Sequence, residues 1–345
     1  VGGVNRRVLT LLVALVPIVA FGVLLSVTTV PYVSLGPGPT FDTLGEVDGK
    51  QVVDIEGPGA DVQPTSGHLN MTTVSQRDGL TLGQALALWT SGREQLVPRD
   101  LVYPPDKSKD EIDDANSTDF RRSEDNAEYA ALSYLKYPKA VTVESVTDPG
   151  PSAGKLQAGD AIDAVNGKPV ATLDEFQAIV KATRPGDAIT VDFRRKNADD
   201  GETTITLGKH PDGGQGFLGV GVLDAPWSDF TIDFNLANIG GPSAGLMFSL
   251  AVVDKLTSGD LNDGKFVAGT GTITADGEVG SIGGITHKML AAKEAGATVF
   301  LVPADNCAEA RTDPQDGLEL VKAENLTQTV EALKTLSAGG EPPRC

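Results

Sequence analysis

From Val8 to Val30 the chain runs 23 residues without a charge, directly after Arg6 and Arg7. As a helix this run is about 34 Å long, enough for a bilayer core of about 30 Å, so the pattern predicts a membrane span. The flanking arginines predict a cytoplasmic N-terminal side, with everything after Val30 outside. No clear small-x-small cleavage site follows, which favours an anchor over a cleaved signal peptide. Pro31 to Pro39, rich in proline and glycine, reads as the exit from the membrane. Gln51–Ile55 and His68–Val74 then alternate apolar with polar positions and predict strands. Leu80 to Trp89 is helical in pattern, and Asp106 to Asn116 is charged and predicts a solvated segment. Between Phe120 and Lys136, Ala127, Ala130, Ala131, Leu132 and Leu135 predict a helix with one apolar face.

From about Lys139 the period shortens. Val141–Val146 predicts a strand, and Asp148-Pro-Gly-Pro-Ser-Ala-Gly154 a turn. Gly159-Asp160 and Val165-Asn-Gly167 bracket another strand, and Leu173 to Ala182 predicts a helix. Ile189–Phe193 and Thr203–Leu207 predict two more strands, after which Gly216-Phe-Leu-Gly-Val220 leads onward.

The densest chemistry lies between Asn238 and Gly296. Gly240-Gly-Pro-Ser-Ala-Gly245 opens an apolar run, Leu246 to Val253, of the length of a buried helix. Pro242 suits a first helical turn, where its missing N–H costs nothing. Ser243 is thereby expected at a helix start, whose free N–H groups hold an oxyanion, with Ser243 and Ala244 as the backbone donors. Gly283-Gly-Ile-Thr-His-Lys288 predicts a glycine turn opening a second helix, closed by Gly296, with Lys288 in its first turn. A positive dipole end and burial both favour the neutral amine that a general base needs. Ser243 and Lys288 together suggest a Ser-Lys dyad.

These motifs, Gly241-Pro-Ser-Ala-Gly245, Thr270-Gly-Thr-Ile-Thr274 and Gly283-Gly-Ile285 with Lys288, resemble the proteolytic domain of Lon proteases. The resemblance implies Ser243 as nucleophile, Lys288 as its base and Thr270 as the residue orienting the lysine; the alternative for Thr270 is an ordinary strand threonine. Thr272 stands where Lon usually has an acidic residue. The segment from Lys139 resembles a bacterial PDZ domain through its turn, Gly-Asp and Val-Asn-Gly elements. Such domains bind extended chain ends by adding a strand to a sheet edge. The usual carboxylate-binding loop is not clear in the sequence, Tyr137 to Ala140 being the candidate. Helix Phe120–Lys136 looks like the one preceding the active-site strand in Lon, which implies a PDZ domain inserted in a split protease domain. The whole arrangement resembles the YlbL-type membrane-anchored proteases of bacteria. The expected fold is α+β: residues 1–34 cytoplasmic tip and anchor, 35–137 the first part of the protease domain, 138–212 the PDZ domain and 213–340 the catalytic part. The resemblance implies protein or peptide substrates recruited in part by the PDZ domain. It also implies an extracytoplasmic ATP-independent serine endopeptidase without cofactor or metal and, because Lon domains commonly form rings, a homo-oligomer.

The remaining features narrow this picture. A length of 345 residues suits about two domains, and a net charge of −19 argues against nucleic acid or an anionic membrane surface as the main partner. Gly-Pro-Ser-Ala-Gly also occurs at Gly150–Gly154, but Ser152 precedes a short polar turn and reads as structural. Gly241-x-Ser243-x-Gly245 fits the nucleophile elbow of α/β hydrolases, with Asp276 and His287 in the required order. No run of parallel βαβ units precedes it, and His287 also reads as an exposed helix residue. A catalytically inactive PDZ scaffold is the non-enzyme alternative. Gly259 to Lys265 matches G-x-x-x-x-G-K, but Phe266 replaces the required Ser or Thr and the helix–strand order is reversed, which argues against ATP binding. There is no HExxH; His68 and His210 have no partner pattern, and Lys293 reads as a solvated face residue. Cys307 and Cys345 match no zinc or thioredoxin motif, and in an oxidising compartment they are expected to pair.

Overall fold

The computed structural model describes residues 6–211, 213–237 and 239–345. Asn238, which opens the expected catalytic stretch, and the tip before Arg6 lie outside the described residues, as does Asp212 at the expected end of the PDZ domain.

Helix α1 (Arg6–Val27) has none of its residues buried, and it is long and apolar enough to cross a membrane. Strands β1 (Tyr32–Asp42), β2 (Val53–Glu56) and β3 (His68–Arg77) follow, then α2 (Leu82–Ser91), β4 (Gln95–Pro98) and the single turn α3 (Arg99–Val102). Helix α4 (Lys109–Tyr134) starts before the predicted Phe120 and takes in most of the charged segment Asp106–Asn116, which is solvated as expected. The reason is a capping box: Ser108 accepts from the Glu111 amide while Glu111 reaches back to the Ser108 N–H.

Next come β5 (Lys139–Val146), β6 (Ala161–Val165), α5 (Leu173–Lys181), β7 (Ala188–Arg194), β8 (Gly201–Thr206) and β9 (Val220–Pro226). They form one antiparallel sheet in the order β8-β7-β6-β5-β9. The sheet holds its own core of Val141, Ile162, Val191, Ile205 and Leu218 under Phe176 of α5. Buried Ser152 donates to the Leu218 carbonyl at 2.7 Å, a structural use of the second Gly-Pro-Ser-Ala-Gly copy. Beyond residue 213, the expected start of the catalytic part, the chain is still paired in the small sheet. β9 pairs with β5 over seven positions, from Val220 with Val146 to Pro226 with Lys139, so its backbone bonds keep the chain in the small sheet as far as Pro226.

After β10 (Thr231–Phe234), which pairs with β2, come α6 (Gly245–Lys255), β11 (Phe266–Gly269), α7 (Ile285–Ala295), β12 (Val299–Pro303) and β13 (Glu319–Ala323). The large sheet is ordered β13-β12-β11-β3-β1-β4, parallel from β13 to β3 and antiparallel beyond. Every residue of β12 is buried, as expected of a parallel strand covered on both faces. Val267 and Leu301 face α6, whereas their neighbours Ala268, Phe300 and Val302 face α7. All eleven residues of α6 are buried, Leu246–Val253 forming an almost wholly apolar run and Asp254 and Lys255 closing the helix. Cys307 and Cys345 form a disulfide that holds the last residues beside β13, where Arg344 bridges to Val321. The loop it closes, 38 residues apart in sequence, is worth about 4 kcal/mol in the chain-entropy account.

Candidate active site

Two helices on opposite faces of the large sheet start at the same end of it. Between them lies Thr270, the residue just past the C-terminal end of β11. Ligand sites of open α/β sheets lie at such strand ends.

Ser243 stands just ahead of α6, whose N-cap is Ala244. Pro242, expected in the first helical turn, lies outside the helix. The cause is the Ser243 carbonyl, which accepts from the Gly271 N–H at 3.0 Å and from Thr270 Oγ1 at 3.0 Å instead of from the helix. The Leu246 N–H in turn donates to the Gly271 carbonyl at 3.2 Å. This loop-to-loop ladder holds Ser243 rigidly. The amides of Ser243 and Ala244 have no acceptor among the described residues.

Lys288 is in the first turn of α7, its N–H bonded to the Gly284 carbonyl at 3.1 Å. Gly284 has φ +69°, and a Cβ there would stand 2.9 Å from Val74, so the turn that aims α7 requires glycine. The Lys288 ammonium nitrogen lies 2.7 Å from Ser243 Oγ and 2.8 Å from Thr270 Oγ1. Its side chain is buried, and burial alone lowers its pKa to about 7. Thr270 is fully buried; its hydroxyl donates to the Ser243 carbonyl and so offers its lone pair to Nζ. A neutral amine in this position can donate to Thr270 Oγ1 and accept a proton from Ser243 Oγ.

Ser243 and Lys288 line a cavity of about 670 Å³ whose walls also include Phe41, Met71, Phe120, Ile239 and Ile282. Its lining suits an apolar group beside Ser243 Oγ. His287 does not reach it: it lines a separate recess with Trp89, Glu94 and Asp313. Asp276 does not line the cavity either.

The sequence motifs miss α4. Asn116, Phe120, Ser123 and Asn126 recur at helical spacing, and all four meet the nucleophile loop or its neighbours. The Asn116 carbonyl accepts from the Gly241 N–H at 2.9 Å, Ser123 Oγ donates to the Pro242 carbonyl at 3.0 Å, and Asn126 donates to the Ile273 carbonyl at 3.0 Å. Fixing the Pro242 carbonyl fixes the Ser243 N–H, which points the opposite way from the same peptide plane. The 3.6 period of these positions is visible in the sequence, but three of the four are polar and fall outside the apolar face that signals the helix.

A second recess, about 290 Å³, lies between α5 and β9 and is walled by Phe176, Val180, Val220 and Val222. β9 is the edge strand of its sheet, and the Gly216–Gly219 loop closes one end of the recess. Tyr137–Ala140, the loop candidate from the sequence, lies elsewhere. Tyr137 packs on Phe230 at 5.6 Å, and Lys139 and Ala140 are already paired with β9.

Residues 238–336 match the sequence profile of the Lon protease C-terminal proteolytic domain, and residues 112–207 that of the PDZ domain. The chain carries a Lon-like proteolytic domain and a PDZ domain. The Lon-like part is 38% identical over 105 residues to Lon protease 1 of Herpetosiphon aurantiacus, covering 30% of this chain and 13% of that one. It is 36% identical over 94 residues to Lon protease 1 of Bacillus subtilis, covering 26% of this chain and 12% of the relative. The chain thus spans about an eighth of the length of these relatives. The PDZ part is similar to the crystal structure of the PDZ domain of an SdrC-like protein from Listeria monocytogenes, at 25% identity and a TM-score of 0.23, over 24% of this chain and 86% of that one.

Proposed function

We propose that the chain is a membrane-anchored, ATP-independent serine endopeptidase. The observation that carries this is the 2.7 Å approach of a buried lysine, its pKa lowered to about 7, to Ser243 Oγ. Ser243 Oγ attacks the scissile carbonyl as its proton passes to neutral Lys288. The amides of Ser243 and Ala244 hold the oxyanion, and Thr270 keeps Nζ on line. Lys288 then protonates the leaving amine, which gives an acyl-enzyme on Ser243. It next takes a proton from the water that hydrolyses the ester.

In this account α1 anchors the chain with Arg6 and Arg7 on the cytoplasmic side, so that the peptidase works outside. The domain division that fits the sheets is 35–137 and 227–340 for the peptidase and 138–226 for the PDZ insertion. A peptide end pairs with the free edge of β9, its last apolar side chain against Phe176 and Val180 and its carboxylate at Gly216–Gly219.

Two outcomes follow. Ser243→Ala should lower cleavage of an unfolded protein such as casein by about 10³-fold or more while leaving peptide binding intact; turnover equal to wild type would reject the nucleophile. Val180→Lys should weaken binding of a labelled peptide with an apolar C-terminal residue by about tenfold or more, read by fluorescence anisotropy. Unchanged affinity would move the ligand off the α5–β9 groove.

A further inference from the structure

Outside α1, the described residues expose five large hydrophobic side chains: Tyr32, Val62, Leu86, Trp89 and Leu101. Four of them, all but Val62, surround the point where α1 ends. Tyr32 opens β1, five residues beyond Val27. Leu86 and Trp89 lie one turn apart on α2. Leu101 is on α3, whose Arg99 N–H bonds to the Pro31 carbonyl at 3.0 Å.

Helix α2 is fastened to the end of α1. The Leu82 N–H donates to the Thr28 carbonyl at 2.7 Å, and the Val30 N–H to the Leu80 carbonyl at 2.9 Å. At Gly83 the helices touch so closely that a Cβ would stand 3.0 Å from the Leu25 carbonyl oxygen. Only Ala85 of α2 is buried, yet its ten residues, Leu-Gly-Gln-Ala-Leu-Ala-Leu-Trp-Thr-Ser, include no charge. An exposed helix in water carries charges on its outer face, as α4 does. Trp89 is 66% exposed and Leu101 75%, and leaving such area in water costs about 25 cal/mol per Å².

We infer that α2, α3 and Tyr32 form a foot that sits in the headgroup layer of the leaflet from which α1 emerges. The inference rests on the reading of α1 as a membrane anchor. The occupant is a phospholipid surface because the patch is continuous with α1, none of whose 22 residues is buried. Tryptophan and tyrosine are the residues that favour this depth, where an apolar ring meets a wet polar edge. A short uncharged helix lying in the plane buries its outer face there. The foot is also joined to the active-site helix: Arg93, just past α2, pairs with Glu294 of α7 at 2.6 Å. A seated foot therefore sets the Ser243 cavity at a fixed place beside the bilayer, within reach of chain segments close to the membrane.

The test uses the full chain reconstituted into phosphatidylcholine vesicles and the fact that it has two tryptophans, Trp89 and Trp227. Trp227 is buried in the small-sheet unit under Arg194, so it supplies a constant background. With phosphatidylcholine brominated near the top of its acyl chains, Trp89 emission should be lost, while aqueous iodide on both sides should leave it unchanged. Trp89→Phe should remove the lipid-sensitive part of the signal. Leu86→Glu with Leu101→Glu should expose Trp89 to iodide in a chain still bound to vesicles through α1. In a chain that floats with the vesicles, Trp89 quenched by iodide and untouched by bromolipid would overturn the foot. So would resistance to both quenchers, the mark of cover by a second copy or another protein. A chain that does not float with vesicles would overturn the anchor reading itself, and the foot with it.

Discussion

Lys288→Met should abolish peptidase activity and leave a protein at least as stable as the original. Loss of a general base costs about 10²–10⁴-fold, and more where base and nucleophile act as a unit. The stability half of the expectation follows from burial. Lys288 is almost wholly buried, and its pKa is lowered from 10.5 to about 7. A lysine so depressed binds fewer protons folded than unfolded between those values, so stability gains as pH rises through that window and is withheld as pH falls. A methionine of similar length removes this penalty. Lys288→Arg should be equally inactive, because guanidinium stays charged at any working pH. In the wild type, activity should fall as pH drops below about 7 and the amine takes up its proton. His287→Ala should retain most activity, since His287 lines a different recess. The opposite pattern, with His287→Ala dead and Lys288→Met active, is what a Ser-His hydrolase would give. Casein hydrolysis as a function of pH and urea unfolding of each variant read both halves.

Phe248→Ala should destabilise the peptidase domain by about 3–5 kcal/mol, a large part of the about 5–15 kcal/mol typical of a domain. The ring is fully buried in the middle of α6 and packs against Phe234 at 4.7 Å and Phe120 at 5.9 Å. No surface side chain can relax into the space it leaves, because every residue of α6 is buried. Phe120 also walls the catalytic cavity, so the variant should raise KM for substrates with a large apolar residue at the scissile bond. A shift in the urea midpoint corresponding to less than about 1 kcal/mol would mean the core repacks around the loss. Val62→Ala, at an exposed position, serves as the control with little effect.

The large apolar features and the two helix starts that bring Lys288 to Ser243 were legible because each has a local signature. The span of α1, the buried run of α6 and the Gly-Gly turn before Lys288 all declare themselves within about a dozen residues. The start of α4 is legible too, through the Ser108–Glu111 capping box, and its charges keep that first stretch solvated. What local pattern could not give is distance in the fold. β9 joins the small sheet only through pairing with β5, some eighty positions back, and its short apolar run looks the same whichever sheet receives it. Likewise nothing near Ser123 marks it as a partner of Pro242, 119 residues away. That Gly216–Gly219 lines a recess opposite α5 is also a matter of tertiary approach, not of local sequence.

The measurement that tests the central claim most directly is labelling of the vesicle-bound chain with a serine-reactive phosphonate, the adduct being located by mass spectrometry of the digested protein. At about pH 8 the account predicts one modified residue, Ser243, with Ser152 untouched; the rate should drop at about pH 5, where Lys288 is protonated. Lys288→Met should take up no label. A wild type that fails to react, or an adduct on Ser243 that forms as fast in Lys288→Met, would contradict the Ser243–Lys288 dyad.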